Sequence, residues 1–287
     1  MVILLGLAAA LLYGSGDFIG GMATRRAHVL AVLAVADTAA VITAMAAAAM
    51  FPGQPSLAGL AWGISAGLIG GLGLIVFYIG LATGPMSVVA PVSGLVSTVL
   101  PVGVALAQGE RPGASVYAGA VLCLVAVVLA SSAGHTSAAD GPGRPRSLGP
   151  ARAIVYGIIS GAAFGLFFLL IRNAGQSGTF WPVAAGRIGE LATVLIAAAA
   201  LRRRLLPSGT DGRLLLAAAG AGVIDVVANI CYVAATRTGA FGLAVVLASL
   251  YPGVTVLMAR VVLGERLRWV QRAGLVLAGI GILLVAA

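Results

Sequence analysis

Five ionisable residues interrupt long apolar runs in this chain: Asp17, Asp37, Arg187, Glu190 and Asp225. A charge at the centre of a bilayer costs roughly 2.5–3.5 kcal/mol on insertion scales, so each of these needs a partner, a proton or water. Asp225 stands twelve residues from both Arg213 and Arg237, at the middle of its run. Asn229 follows one turn on and Tyr232 two turns on, roughly on the same helical face. A carboxylate so placed can exchange protons or bind a solute. The plainer alternative is a protonated structural acid hydrogen-bonded to a facing helix.

Arg187 precedes Glu190 by three residues, close enough to pair along one helix. A neutralised structural pair is one reading; an Arg187 that meets an anionic substrate group, held in place by Glu190, is the other. Asp37 occupies the place in the first half that Glu190 has in the second, and no partner for it is visible. Asp17 ends the string Tyr13-Gly14-Ser15-Gly16-Asp17. That string fits the Gly-x-Gly-Asp of intramembrane aspartyl proteases, where two aspartates share a water. Such enzymes carry Tyr-Asp on the preceding helix, whereas here the other aspartates read Ala36-Asp37 and Ile224-Asp225. Asp17 therefore reads as a cavity-mouth residue or a polar helix end near Arg25, and no enzyme is expected. Tyr13, Tyr78, Trp181, Tyr232, Tyr251, Ser93, Ser97 and Ser249 are further candidates to line a cavity, although membrane serines often bond only their own backbone. His28 and His135 lie between apolar runs without metal-ligand spacing, and neither a metal nor a cofactor is expected.

The elements that hold these residues must cross a membrane. Hydrophobic residues make up 61% of the chain and charged ones 9%, with a mean hydropathy of +1.11. Soluble domains average about 25% charged residues. The formal charge of +9 comes entirely from arginines, which sit singly or in short clusters between apolar runs, so no nucleic-acid face exists. Cys123 and Cys231 fall inside apolar runs and read as small buried hydrophobes rather than a disulfide. No basic residue precedes the run from Val2, which reads as a first spanning helix rather than a cleaved leader.

A spanning helix needs about 20 apolar residues. Ten runs qualify: 2–22, 28–50, 57–82, 86–107, 113–133, 152–172, 180–201, 213–236, 240–262 and 268–286. The fold expected is an all-α polytopic membrane protein. The Gly/Pro/Ser-rich linker 134–150 separates a first five-helix repeat, 1–133, from a second, 151–287. Landmarks recur between the halves at an offset of 154 to 155 residues. Tyr78 and Gly84 answer to Tyr232 and Gly239, Glu110-Arg111 to Glu265-Arg266, and Gly119 to Gly274. With an odd number of helices per half, the second copy is inverted in the membrane.

At these residues the chain resembles the drug/metabolite transporter superfamily and, within it, the ten-helix EamA-type transporters. That pattern has a Gly-Glu-Arg turn between the last two helices of each half, with a Pro in the preceding helix. Pro252 stands thirteen residues before Glu265, as the pattern requires. In the first half Ser97 holds the equivalent place before Glu110, and the Pro is shifted to Pro101. The resemblance covers nearly the whole chain. It implies a secondary carrier in the cytoplasmic (inner) membrane, moving a small metabolite or drug through a central cavity by alternating access, and says nothing of the substrate. The intramembrane acids independently suggest proton coupling. A channel or a lipid-handling membrane protein fits the same composition.

Arginines orient the chain. Loops after the odd-numbered helices hold Arg25, Arg26, Arg144, Arg146, Arg152, Arg202, Arg203, Arg204, Arg213, Arg260, Arg266, Arg268 and Arg272; the opposite side holds Arg111, Arg172 and Arg237. The positive-inside rule puts the first group in the cytoplasm and both termini outside, opposite to the usual arrangement of ten-helix relatives. Gly59, Gly63, Gly67 and Gly71 form a smooth ridge for close helix approach, expected to face the central cavity or its lining. At the repeat offset the ridge becomes Arg213, Ala217, Ala221 and Asp225. Pro91, Pro101 and Pro252 should kink their helices and turn the freed carbonyls towards a cavity or a neighbouring helix.

Overall fold

A computed structural model describes residues 1–51, 53–83, 86–109, 113–131, 150–175, 178–203, 205, 211–238, 241–263 and 269–286. The described residues contain helices and no strand. In order they are α1 (Val2–Thr24), α2 (Val29–Met50), α3 (Leu57–Thr83), α4 (Met86–Ala107), α5 (Ala114–Ser131), α6 (Pro150–Gly175), α7 (Phe180–Ala200), α8 (Gly212–Thr238), α9 (Phe241–Ala248), α10 (Tyr251–Leu263) and α11 (Trp269–Ala286). Seven of these, α1 to α4 and α6 to α8, are long and apolar enough to cross a membrane. Linker residues 134–149 and both Glu-Arg pairs, Glu110-Arg111 and Glu265-Arg266, lie outside the described residues, while Pro150 opens α6.

Leu4, Leu11, Ile42, Leu72, Ile158, Ile196 and Leu216 point outward, where lipid tails suit them, while small residues share the interior with aromatic ones such as Phe77, Phe168 and Tyr232. In α2 the buried Ala36, Ala40, Ala44 and Ala48 make one stripe at four-residue spacing. Lipid offers no hydrophobic drive for helices to associate, so close backbone contact through small residues provides the cohesion.

The α3 ridge shows this directly. A Cβ at Gly63 would meet the Pro182 carbonyl, one at Gly67 the Gly186 carbonyl and the Glu190 amide, and one at Gly71 the Thr193 side chain and Glu190 carbonyl. From α7, Gly189 answers with the same closeness to the Ile64 carbonyl. The ridge thus faces α7, the helix that carries Arg187 and Glu190, and not the cavity itself. A side chain at Gly67 would press on backbone, which cannot rotate away. Gly67→Leu should therefore lower the unfolding free energy by about 3 kcal/mol or more. Gly279→Leu, exposed on α11 with nothing near its Cβ position, should change it by less than about 0.5 kcal/mol. Equal losses from the two, read as thermal midpoints in detergent, would remove the special place of the ridge.

The three prolines behave differently. The chain expected to form one helix over 240–262 is broken into α9 and α10, with Ser249 and Leu250 between them. Pro252 has no N–H for the Ala248 carbonyl and its ring would clash there, so the helix stops at Ala248 and restarts with Pro252 in its first turn. By contrast α4 is helical through both Pro91 and Pro101. The Ser97 carbonyl, deprived of its donor by Pro101, lies against α6, where a Cβ added to Gly165 would sit 3.1 Å from it. The freed group faces a helix, as expected, and not lipid.

Contacts between the elements follow a pattern. α3 packs on α6 and α7, while α8 packs on α1 and α2; α4 lies on α6, while α9 and α10 lie on α1; α5 pairs with α11. Along α1, Gly14 makes room for α10, and Thr255 donates from α10 to the Gly14 carbonyl at 3.1 Å.

Candidate functional site

The cavity lies where α1, α3, α6, α7, α8 and α10 meet at mid-length. The space between its walls, counted out to the open mouth and including solvent there, is about 460 Å³. Its lining comprises Tyr13, Asp17, Gly70, Leu74, Phe164, Phe167, Phe168, Arg187, Glu190, Asp225, Asn229 and Tyr251.

At its centre is a charged triad. Arg187 Nη1 lies 2.5 Å from Glu190 Oε2, the intrahelical pair that their spacing predicts. The same nitrogen donates to Asp225 Oδ2 on α8. Asn229, one turn along α8, donates from Nδ2 to the Asp225 carbonyl at 2.9 Å and approaches Asp225 Oδ2 at 3.3 Å. Arg187 and Glu190 are buried, whereas the Asp225 side chain keeps 31% of its exposure. Such a cluster holds one guanidinium against two carboxylates. One of the two carboxyls is therefore in surplus, and Asp225 is the one open to the cavity. The α7 pair expected from the spacing forms, and the facing-helix partner of Asp225 is an arginine, where the structural reading of the sequence expected a protonated acid.

Around the triad the cavity is aromatic. Phe164, Phe167 and Phe168 recur at three- and four-residue spacing on one face of α6, a signal present in the sequence. Tyr13 stands edge-on to both Phe168 and Tyr251, with ring centroids 6.3 Å apart in each case. Tyr251 is neighboured by Ser93 and Ser97 of α4, which stand outside the lining. Ser93 accepts from Ser160 at 3.1 Å, and Ser97 bonds the Gly94 carbonyl of its own helix. The hydroxyl of Tyr13 and Oδ1 of Asn229 are buried with no hydrogen-bond partner.

Several expected lining residues lie elsewhere. Tyr232 is wholly buried behind the wall, its ring 4.8 Å from that of Phe168 and its hydroxyl 3.4 Å from the Phe168 carbonyl. The two-turn spacing from Asp225 overshoots the cavity because α8 continues past it into packing with α6. Asp37 is buried close behind the triad, with Oδ2 unpartnered, and does not reach the cavity. Trp181 is at the membrane end of α7, donating to the Gly53 carbonyl at 3.2 Å, while Phe51 and Phe180 stack beside it. Tyr78 and Ser249 are buried in packing.

Polar and cation–ring ties gather at one end of the bundle. Where α6 and α8 end, Arg172 donates to Gln108, just past the end of α4, at 2.7 Å and stacks over Phe241 of α9 at 4.1 Å. Arg237 donates to the Gly175 carbonyl at 2.9 Å. Tyr232 lies seven residues, about 10 Å, from Asp225 in that direction. Asp17 stands on the other side of Tyr13, towards the arginine-rich end of α1, and is partly exposed.

Comparison with known proteins agrees with this picture. Residues 151–287 match the EamA-like transporter family. The matched half contains the break at Pro252, Arg187, Glu190 and Asp225. A solved crystal structure of a protein is similar over 99% of this chain and 95% of its own, with a TM-score of 0.73 and 18% identity; that likeness concerns the fold alone. No curated protein sequence matches. With its apolar helices, the chain is a multi-pass membrane protein.

Proposed function

We propose that this chain, whose second half carries the pattern of the EamA-like transporters, is a secondary carrier that moves a small organic solute across the cytoplasmic membrane by alternating access. The observation that carries the reading is the triad in a cavity at mid-depth, where a buried Arg187 is shared by Glu190 and a partly exposed Asp225. Charges at that depth are costly, and structure alone is better served by small residues such as the Gly71 of the other half. The surplus charge of Asp225 is one that a proton or a solute can neutralise in turn, which is the requirement for coupling. The aromatic layer of Tyr13, Phe168 and Tyr232, with the ties at Arg172, supports a conformation closed at the arginine-poor end.

Ten spans in two inverted repeats account for the packing. Exchanging α1 to α5 with α6 to α11, α9 and α10 counted as one broken helix, turns the α3–α7 contact into α8–α2, α3–α6 into α8–α1 and α4–α6 into the α9/α10–α1 contact, while α5–α11 maps onto itself. A two-fold axis in the membrane plane has this effect. The arginine distribution puts both termini outside. A fluorescent reporter that matures only in the cytoplasm should therefore stay dark when fused after Ala287; a bright fusion reverses the orientation and leaves the helices as they are.

The function is tested by a thermal-shift screen of the purified protein against metabolites, since ligands that bind the folded state raise its midpoint. Hits are then followed into proteoliposomes. A carrier gives flux that saturates with solute concentration. Flux that rises linearly to high concentration marks a channel, and none above protein-free liposomes removes the transport reading.

A further inference from the structure

A further carboxyl stands close behind the triad. Asp37 is 3% exposed, forms no ion pair among the described residues, and has Oδ2 buried without a hydrogen-bond partner. Its helix, α2, packs on both α7 and α8. The register brings it level with the triad: Gly222 of α8 is pressed onto the Ala36 carbonyl with no space for a Cβ. Asp37 is the next residue along α2, and Asp225 follows Gly222 by three residues, nearly one turn of α8. The charged groups that act on Asp37 are Glu190 and Arg187 of α7 and Asp225 of α8, and it acts in turn on Tyr78 of α3. Arg187 has Glu190, Asp225 and Asp37 as its acidic neighbours. Its Nη1 is committed to the first two, but its Nε is buried and carries an unused N–H.

One guanidinium thus has three carboxyls about it, two in contact and one not. A carboxylate buried without a counter-charge is far costlier than a neutral acid, and like charges nearby disfavour ionisation further. Asp37 therefore keeps its proton while Glu190 and Asp225 hold Arg187. That order changes when Asp225 is neutralised. The guanidinium then loses one of its two carboxylates, its Nε is still free, and Asp37 is the buried acid that remains beside it.

We infer that Asp37 is a positioning residue for Arg187, a reserve partner that ionises and accepts from the guanidinium Nε when Asp225 is neutralised. The proton that Asp37 gives up passes to solvent, so the cluster holds two carboxylates before and after. The α7 helix gains an ionic tie to α2 as its ionic tie to α8 is lost. The inference deepens the carrier proposed above by adding a group to its coupling cluster, and its test involves no flux, so either can fail alone.

The test is infrared spectroscopy of the full-length protein in nanodiscs at neutral pH, with aspartate alone isotope-labelled at the side-chain carboxyl carbon. A protonated carboxyl shows a C=O stretch that a carboxylate lacks, and aspartates common to two proteins cancel in their difference. Asp37→Asn should remove one group's share of that band from otherwise wild-type protein and none in the Asp225→Asn background. Asp225→Asn by itself should lower the band by the same share, although the residue it removes is ionised in the wild type. Asp37→Glu keeps the acid but takes it out of the label, and should give the same differences where Asp37→Asn does not fold. The Asp225→Asn difference decides where neither Asp37 variant folds. The inference is overturned if Asp225→Asn leaves the band intact, if an Asp37 variant removes equal shares in both backgrounds, or if it removes none from the wild type. The expected spectra without flux keep the reserve partner and remove the carrier reading; flux with unchanged spectra does the reverse.

Discussion

Replacing Arg187 with Gln is expected to cost the folded protein about 3–5 kcal/mol, the loss that follows when one partner of a buried ion pair is removed. Glu190 and Asp225 both turn to Arg187 Nη1, so the substitution strips two carboxylates of their cation in a single step. Glu190 is buried and cannot hydrate its charge; it must take up a proton or draw water into the helix contact. That contact is the glycine-lined seam between α3 and α7, where Gly67 lies against Gly186 and the Glu190 amide. Little room is left there for a rearranged side chain. Glu190→Gln should cost less, because Asp225 continues to balance Arg187. Changing both, as Arg187→Met with Glu190→Gln, should recover part of the loss, since a buried pair is hard to break from one side and easier to replace whole. Denaturant titration in detergent micelles reads all three. An Arg187→Gln protein as stable as wild type would show that the triad does not hold α7 and α8 together.

The sequence makes the all-helical, membrane-crossing character legible because it rests on a long-range regularity, the length of the apolar runs. It also makes the Arg187–Glu190 pair legible, because three-residue spacing fixes neighbours along a helix whatever the fold. The Arg187–Asp225 contact is not legible in this way. It joins residues 38 apart on separate helices, and the helices that carry them are apolar nearly all round. In a soluble protein the polar face of a helix reveals its rotation. Here Val227 is exposed and Val226 buried on the same helix, with nothing in their types to tell them apart. The same blindness puts Tyr232 in the cavity when it is in fact packed against Phe168. The Phe164, Phe167 and Phe168 face was there to be read, but α6 carries no acid beside it to mark it as a lining. The break before Pro252 and the continuity of α4 through Pro101 likewise depend on what each helix packs against.

The central claim is that Asp225 is the exchangeable charge of a transport site, and Asp225→Asn tests it most directly. Asparagine keeps the shape of the carboxyl and can still accept from Arg187, which retains Glu190 as its counter-charge. The variant should therefore fold with stability within about 1 kcal/mol of wild type, as substitutions that preserve shape and pairing do. Its surplus negative charge is gone. The measurement is uptake into proteoliposomes of the solute that passes the flux test, with and without an imposed proton gradient. The account predicts that wild type accumulates solute under the gradient. The Asn variant should show no accumulation above protein-free liposomes, yet still exchange solute down its own gradient. Gradient-driven accumulation by the Asn variant at the wild-type level would contradict the claim and leave Asp225 as a structural acid that ties α8 to α7.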